Sequence, residues 1–142
     1  MIVRTVTLAD ADKLYALLRE FHSGYPGRAA FDPYFADALA QPHRRLVIAY
    51  DQEQPVGFAD LQVRAALDVC APVGVIHAFF VREEYRRKGI GTGLLMNVNT
   101  WFQREGCVAA SAACARVNVN SQNFLERRGY NKIRYGFWKK LD

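Results

Sequence analysis

Between Tyr85 and Leu94 the chain reads Arg86-Arg87-Lys88-Gly89-Ile90-Gly91-Thr92-Gly93, a run of cations followed by glycine at alternate positions. Glycine admits positive φ and lets a ligand approach the backbone closely. The segment follows an apolar run, Gly74 to Val81. It precedes Leu94, Leu95, Val98, Trp101 and Phe102, whose spacing marks one face of a helix. A strand that enters a helix through such a turn aims unpaired N–H groups and the positive end of the helix dipole at whatever sits there. That chemistry suits a diphosphate, with Arg86, Arg87 and Lys88 adding charge at the rim. Taken alone, the turn fits a flexible loop with solvated charges better. The stricter GxxxxGK[ST] and GxGxxG phosphate patterns do not match.

The second chemical feature is His77, inside the apolar run and four residues before Val81. Imidazole titrates near pH ~6.5 and can accept a proton at neutral pH. A core histidine bonded to a neighbour is the competing reading. His22 and His43 fall in or beside loops. Cys70, Cys107 and Cys114 lack CxxC spacing, so no metal site or disulfide framework is expected. Reduced thiols and the absence of a cationic-then-apolar leader at the N-terminus point to the cytoplasm.

These groups need a frame. The 142 residues, 51% hydrophobic and 23% charged, have the composition of one globular domain over 1–142. Disordered and collagen-like architectures are excluded. No apolar run reaches the ~20 residues that span a bilayer. The net charge of +5 attracts anions. Basic residues are scattered apart from positions 82–88 and the C-terminal end, which argues against a nucleic-acid interface.

Ile2–Thr5 reads as a strand. Thr7 and Asp10 form a capping box before a helix carrying Leu14, Leu17, Leu18 and Phe21. Phe31–Ala40 reads as a second helix. Arg45–Tyr50 and Val56–Arg64 make a hairpin around a polar turn, and Gly74–Val81 is a strand buried on both faces. The helix after Gly91 stops at Gly106. Cys107–Val117 is a further strand, Ser121–Arg128 a short helix, and Lys132–Lys139 a last alternating strand. The order β-α-α-β-β-β-α-β-α-β implies a mixed sheet with helices on both faces.

Arg86-x-x-Gly89-x-Gly91 in that order of elements resembles the acyl-CoA signature of the GNAT superfamily of N-acetyltransferases, R/Q-x-x-G-x-G/A. A second stretch, Asn118-Val-Asn-Ser-Gln-Asn-Phe-Leu-Glu-Arg-Arg-Gly-Tyr130, is similar to the family's N-x-x-A-x-x-F-Y-E-x-x-G-F at Asn118, Phe124, Glu126, Gly129 and Tyr130, with Ser121 at the small position. The likeness covers nearly the whole chain. It implies an α/β GNAT fold with a mostly antiparallel mixed sheet of about six to seven strands and about four helices.

It also implies acetyl-CoA as cofactor and direct transfer of the acetyl group to a primary amine of a small molecule or a protein. Main-chain groups of Phe79, Phe80 and Val81 would line the pantetheine arm between splayed strands. The turn from Arg86 through Arg87, Lys88, Gly89, Ile90, Gly91 and Thr92 to Gly93 would hold the diphosphate. Asn118, Ser121 and Phe124 would flank the reactive end, and Arg127 would reach the phosphates. His77 would be the base that deprotonates the amine, whose ammonium form (pKa ~10) is no nucleophile. A strand N–H near Phe79 would stabilise the oxyanion.

The first two helices and their loop would form the acceptor site, with Phe21, Tyr25, Tyr34 and Phe35 among its aromatics. Asp32 and Asp37 are the nearby acids. Many members pair through their C-terminal strands, and Lys132–Lys139 is apolar enough to form a homodimer. The departure is Leu125, where the family usually has a tyrosine that protonates the leaving thiolate. Tyr130, Tyr135 and Cys114 stand as alternatives. The same departure motivates a second reading, a non-catalytic acyl-CoA sensor.

Overall fold

The computed structural model describes residues 1–141. Along the chain run β1 (Ile2–Thr5), α1 (Ala11–Phe21), α2 (Arg28–Ala40), β2 (Arg44–Asp51), β3 (Gln54–Ala66), β4 (Ala71–Val81), α3 (Ile90–Arg104), β5 (Ala109–Ala112) and α4 (Val119–Arg127), with single 3-10 turns at Leu8–Asp10 and Glu83–Tyr85. The strands form one sheet in the order β1-β2-β3-β4-β5, antiparallel throughout except for the parallel β4–β5 pair.

The entry to α1 follows from its sequence. Thr7 N–H donates to Asp10 Oδ2 at 2.8 Å, and the Thr7–Asp10 capping box is complete. Leu14 and Leu17 are then buried against the sheet. Alternation in the strands builds two cores. Val47, Ala49, Leu61, Ile76 and Val81 face α3, where they meet Ile90, Leu94, Leu95, Val98 and Phe102. Leu46, Ile48, Tyr50 and Phe58 face α1 and α2, where they meet Leu14, Leu17, Phe31 and Phe35. Cover on both faces explains why β4 reads as an almost continuous apolar run. Phe102 seats α3 on β4 by lying directly on Gly74, where a Cβ would come within 2.5 Å of the ring.

The β2–β3 hairpin turns through Gln52 (φ 48°) and Glu53 (φ 69°), both left-handed. Two such residues in a two-residue hairpin loop are the positions that favour Asn-Gly. The double change Gln52→Asn, Glu53→Gly is expected to stabilise the protein by about 1 kcal/mol and raise its melting midpoint by about 3 °C in a thermal scan.

The structure departs from the sequence reading at the end of the sheet. Among the described residues there are five strands, not six to seven. Lys132–Lys139 forms no strand, and Ile133, Tyr135, Phe137 and Trp138 are exposed. Alternation supplies strand propensity, and the outer edges of β1 and β5 are free, but the segment pairs with neither. β5 is likewise shorter than Cys107–Val117. Its pairing with β4 runs from Val73↔Ala109 to Ile76↔Ala112 and stops. The next residue, His77, is an extra one. The β3–β4 register passes from Leu61↔Ile76 to Asp60↔Ala78 and leaves His77 unmatched. Such a bulge bends the strand and interrupts its ladder. Among the described residues no helix is long and apolar enough to cross a membrane.

Candidate active site

Beyond Ile76, the edge of β4 that faced β5 carries no partner strand, so Phe79, Phe80 and Val81 border an open slot. Phe79 and Val81 belong to the α3 side and Phe80 to the α1/α2 side. At the end of the slot the chain turns into α3. Arg87 (φ 62°) and Gly89 (φ 81°) are both left-handed. Alternating hands turn successive N–H groups towards one point, a concave anion nest. Among the described residues, the amides of Arg87 through Thr92 donate to no carbonyl or side chain; Gly93 N–H, bonded to Gly89 O at 3.0 Å, is the first to be satisfied. A Cβ on Gly89 would meet nothing within 4 Å, so the space before these amides is open. A Cβ on Gly91 would touch the Phe124 ring at 3.3 Å.

The surrounding cations are arranged differently from one another. Arg86 Nε donates to Val81 O at 2.9 Å, and its guanidinium lies over the Phe80 ring, which ties the turn to the end of β4. Lys88 lies over Tyr85. Arg128 donates to Thr92 Oγ1 in the first turn of α3 and lies 4.3 Å from the Phe124 ring centre. The α4 cation at the cradle is therefore Arg128, while Arg127 makes no such contact.

Open amides, an unpaired strand edge and cations at a helix N-terminus fit a diphosphate joined to an extended amide arm. Asn118 Oδ1 accepts from Ser121 N–H at 3.1 Å, so both residues cap α4. Gln122 Nε2 donates to Arg116 O at 2.8 Å and fixes the preceding loop. Phe124 stands 5.7 Å from Phe79 and joins α4 to β4. Leu125 offers no proton. Of the alternatives, Cys114 and Tyr135 are exposed, whereas the Tyr130 hydroxyl is buried without a partner and burial raises its phenol above the ordinary value.

On the α1/α2 side, His77 is not a core residue. It is exposed, with Nε2 2.7 Å from Gln62 Oε1. Phe21 meets Phe58 and Phe80 edge-on at 5.5 and 5.7 Å. Tyr25 packs on Tyr15, and burial, Tyr15 and Asp60 raise its phenol. The other two expected aromatics are elsewhere. Phe35 is buried and belongs to the α1/α2 core around Phe31, on which it stacks at 5.1 Å. Tyr34, one turn out of phase, is 79% exposed.

The acids also differ from expectation. Asp32 is bonded to Arg28 and Asp37 to Gln41, both on α2. Asp60, paired with Arg44 at 2.7 Å, is the carboxylate near Tyr25. Glu20, Glu83 and Glu84 line an open cleft of about 530 Å³ with Phe80 and Arg86. Arg82 bonds both Glu20 and Glu84. Sequence spacing gave no sign of these groups, because they converge from α1, β3 and the turn after β4.

The mixed sheet, the open amides before α3 and the unpaired end of β4 together define the fold and the candidate site. The family model described as "Acetyltransferase (GNAT) family" matches residues 11–130, and the chain belongs to that family. Its cofactor is acetyl-CoA and its activity N-acetyl transfer. Similar proteins include the aminoglycoside N(6')-acetyltransferase type 1 of Acinetobacter baumannii, 29% identical over 107 residues, covering 72% of this chain and 73% of that one. The aminoalkylphosphonate N-acetyltransferase of Salmonella typhimurium is 27% identical, with 98% and 90% covered. The solved structure of the acetyltransferase AAC(6')-Iy with the bisubstrate analogue CoA-S-monomethyl-acetylneamine superimposes with TM-score 0.87 at 23% identity, covering 99% and 98%, and shows the shared fold.

Proposed function

We propose that this enzyme acetylates a primary amine of a small, multiply cationic molecule of the amino-sugar kind, by direct attack within a ternary complex. The observation that carries the reading is the placement of two opposed surfaces on one strand. The β4 edge and the amides of Arg87–Thr92 receive the cofactor, while His77 offers a base and Glu83, beside the Arg82-paired Glu20 and Glu84, offers negative charge to a cationic acceptor. The names of the similar acetyltransferases, which act on aminoglycosides and aminoalkylphosphonates, support small amines over protein substrates. When bound, the cofactor supplies an acetyl thioester. His77 takes the ammonium proton, Phe79–Val81 and the turn hold the thioester arm, and Phe21 and Tyr25 shield the acceptor from water.

Steady-state release of free thiol from acetyl-CoA, with mass spectrometry of the products, tests this over neamine, an aminoalkylphosphonate and a lysine peptide. Acetylated neamine and an unmodified peptide are expected; acetylation of the peptide alone overturns the small-amine assignment. Leu125 favours one alternative, the acyl-CoA sensor, which predicts tight cofactor binding without turnover of any amine.

Two further assignments belong to this reading. The free cysteines suit the reducing cytoplasm. The exposed segment 131–141 pairs with a second copy, which gives it the partner strand it does not take in its own chain. Sedimentation should find a dimer, and the protein truncated after Tyr130 a monomer. A monomeric full chain would remove the assignment.

A further inference from the structure

We infer that Gln62 is a positioning residue for the acceptor side of the reaction: its amide oxygen accepts from the Nε2–H of His77 and so leaves Nδ1 as the nitrogen that takes the proton. The inference rests on the reading of His77 as base and adds a residue and a tautomer to it.

The geometry comes from the bulge. His77 is the unmatched residue of β4, and its side chain reaches diagonally back to Gln62, whose register partner is Val75. The bond is 2.7 Å long, and Gln62 is half-buried. On its other side Gln62 lies opposite Arg44 of β2. The charged side chains on this face of the flanking strands are Arg44, Asp60 and Arg64, with the Tyr25 phenol near Asp60. Arg44 and Asp60 are bonded to each other. β5 contributes no charge, since Ala109–Ala112 holds only alanine and serine. The group bonded to the imidazole is thus a neutral amide.

A neutral imidazole has one donor and one acceptor nitrogen, and the partner of one decides the role of the other. A carboxylate in the place of Gln62 would also fix the tautomer, but it would stabilise the imidazolium and hold the base protonated near neutrality. A glutamine sets the tautomer without adding that charge.

The test reads the ring directly and needs no substrate. In long-range ¹H–¹⁵N spectra of protein labelled at histidine, with His77 assigned by its loss in His77→Ala, His77 is expected in the Nε2–H form. Gln62→Leu should give a mixture of tautomers. An Nδ1–H form in the parent or an unchanged tautomer in Gln62→Leu would overturn the assignment.

Kinetics separate this from the reading beneath it. With acetyl-CoA and neamine, Gln62→Leu should lower kcat about 10-fold and leave KM for acetyl-CoA unchanged. A large loss in His77→Ala with a parent-like Gln62→Leu sinks the role of Gln62 alone. Parent-like His77→Ala sinks the base itself, whatever the spectra show.

Discussion

Gly89→Val is expected to abolish measurable acetyl-CoA binding. Gly89 has φ 81°, a left-handed backbone that a β-branched residue adopts only with strain. Nothing in the protein lies within 4 Å of the Cβ position, so the new side chain meets no wall of its own fold. It projects instead into the open space before the amides of Arg87–Thr92. Losing two charge-assisted bonds there, at about 1.5–3 kcal/mol each, lowers affinity by roughly 10²–10⁴-fold. Calorimetry should therefore record no heat at concentrations that saturate the parent, while the melting midpoint falls by only a few degrees. An affinity equal to the parent's would show that the diphosphate sits elsewhere.

The second large effect belongs to His77. Removing a general base typically costs 10²–10⁴-fold, and His77→Ala should lower kcat at neutral pH within that range. The side chain is exposed on the α1/α2 face and touches Gln62, not the cofactor turn, so affinity for coenzyme A should be retained. A variant with the parent's rate would return His77 to a purely structural role.

The contrast between these two sites shows what a sequence discloses. The cofactor turn is built from neighbours in the chain, so its glycines, cations and flanking periodicities lie side by side in the text. The capping box before α1 and the two-sided burial of β4 are equally local. The proposed acceptor side draws on α1, β2, β3 and the turn after β4. Asp60, Gln62 and Arg44 look like ordinary strand residues until the register sets them beside His77. Phe35 and Tyr34 show the same limit from the other side, since adjacent helical aromatics point into the core and into solvent respectively. The final strand failed for a different reason. Alternation in Lys132–Lys139 states a preference, and pairing requires a partner strand that the preference cannot supply.

The unmatched residue of β4 ties two functions to one position. Pairing with β5 ends at Ile76, immediately before it, and its side chain is the proposed proton acceptor. Excising position 77 outright is thus a different experiment from trimming its side chain to alanine. With the strand restored to even spacing, the β3–β4 ladder would run without interruption, and the proposed proton acceptor would be lost together with the bend that precedes Phe79–Val81.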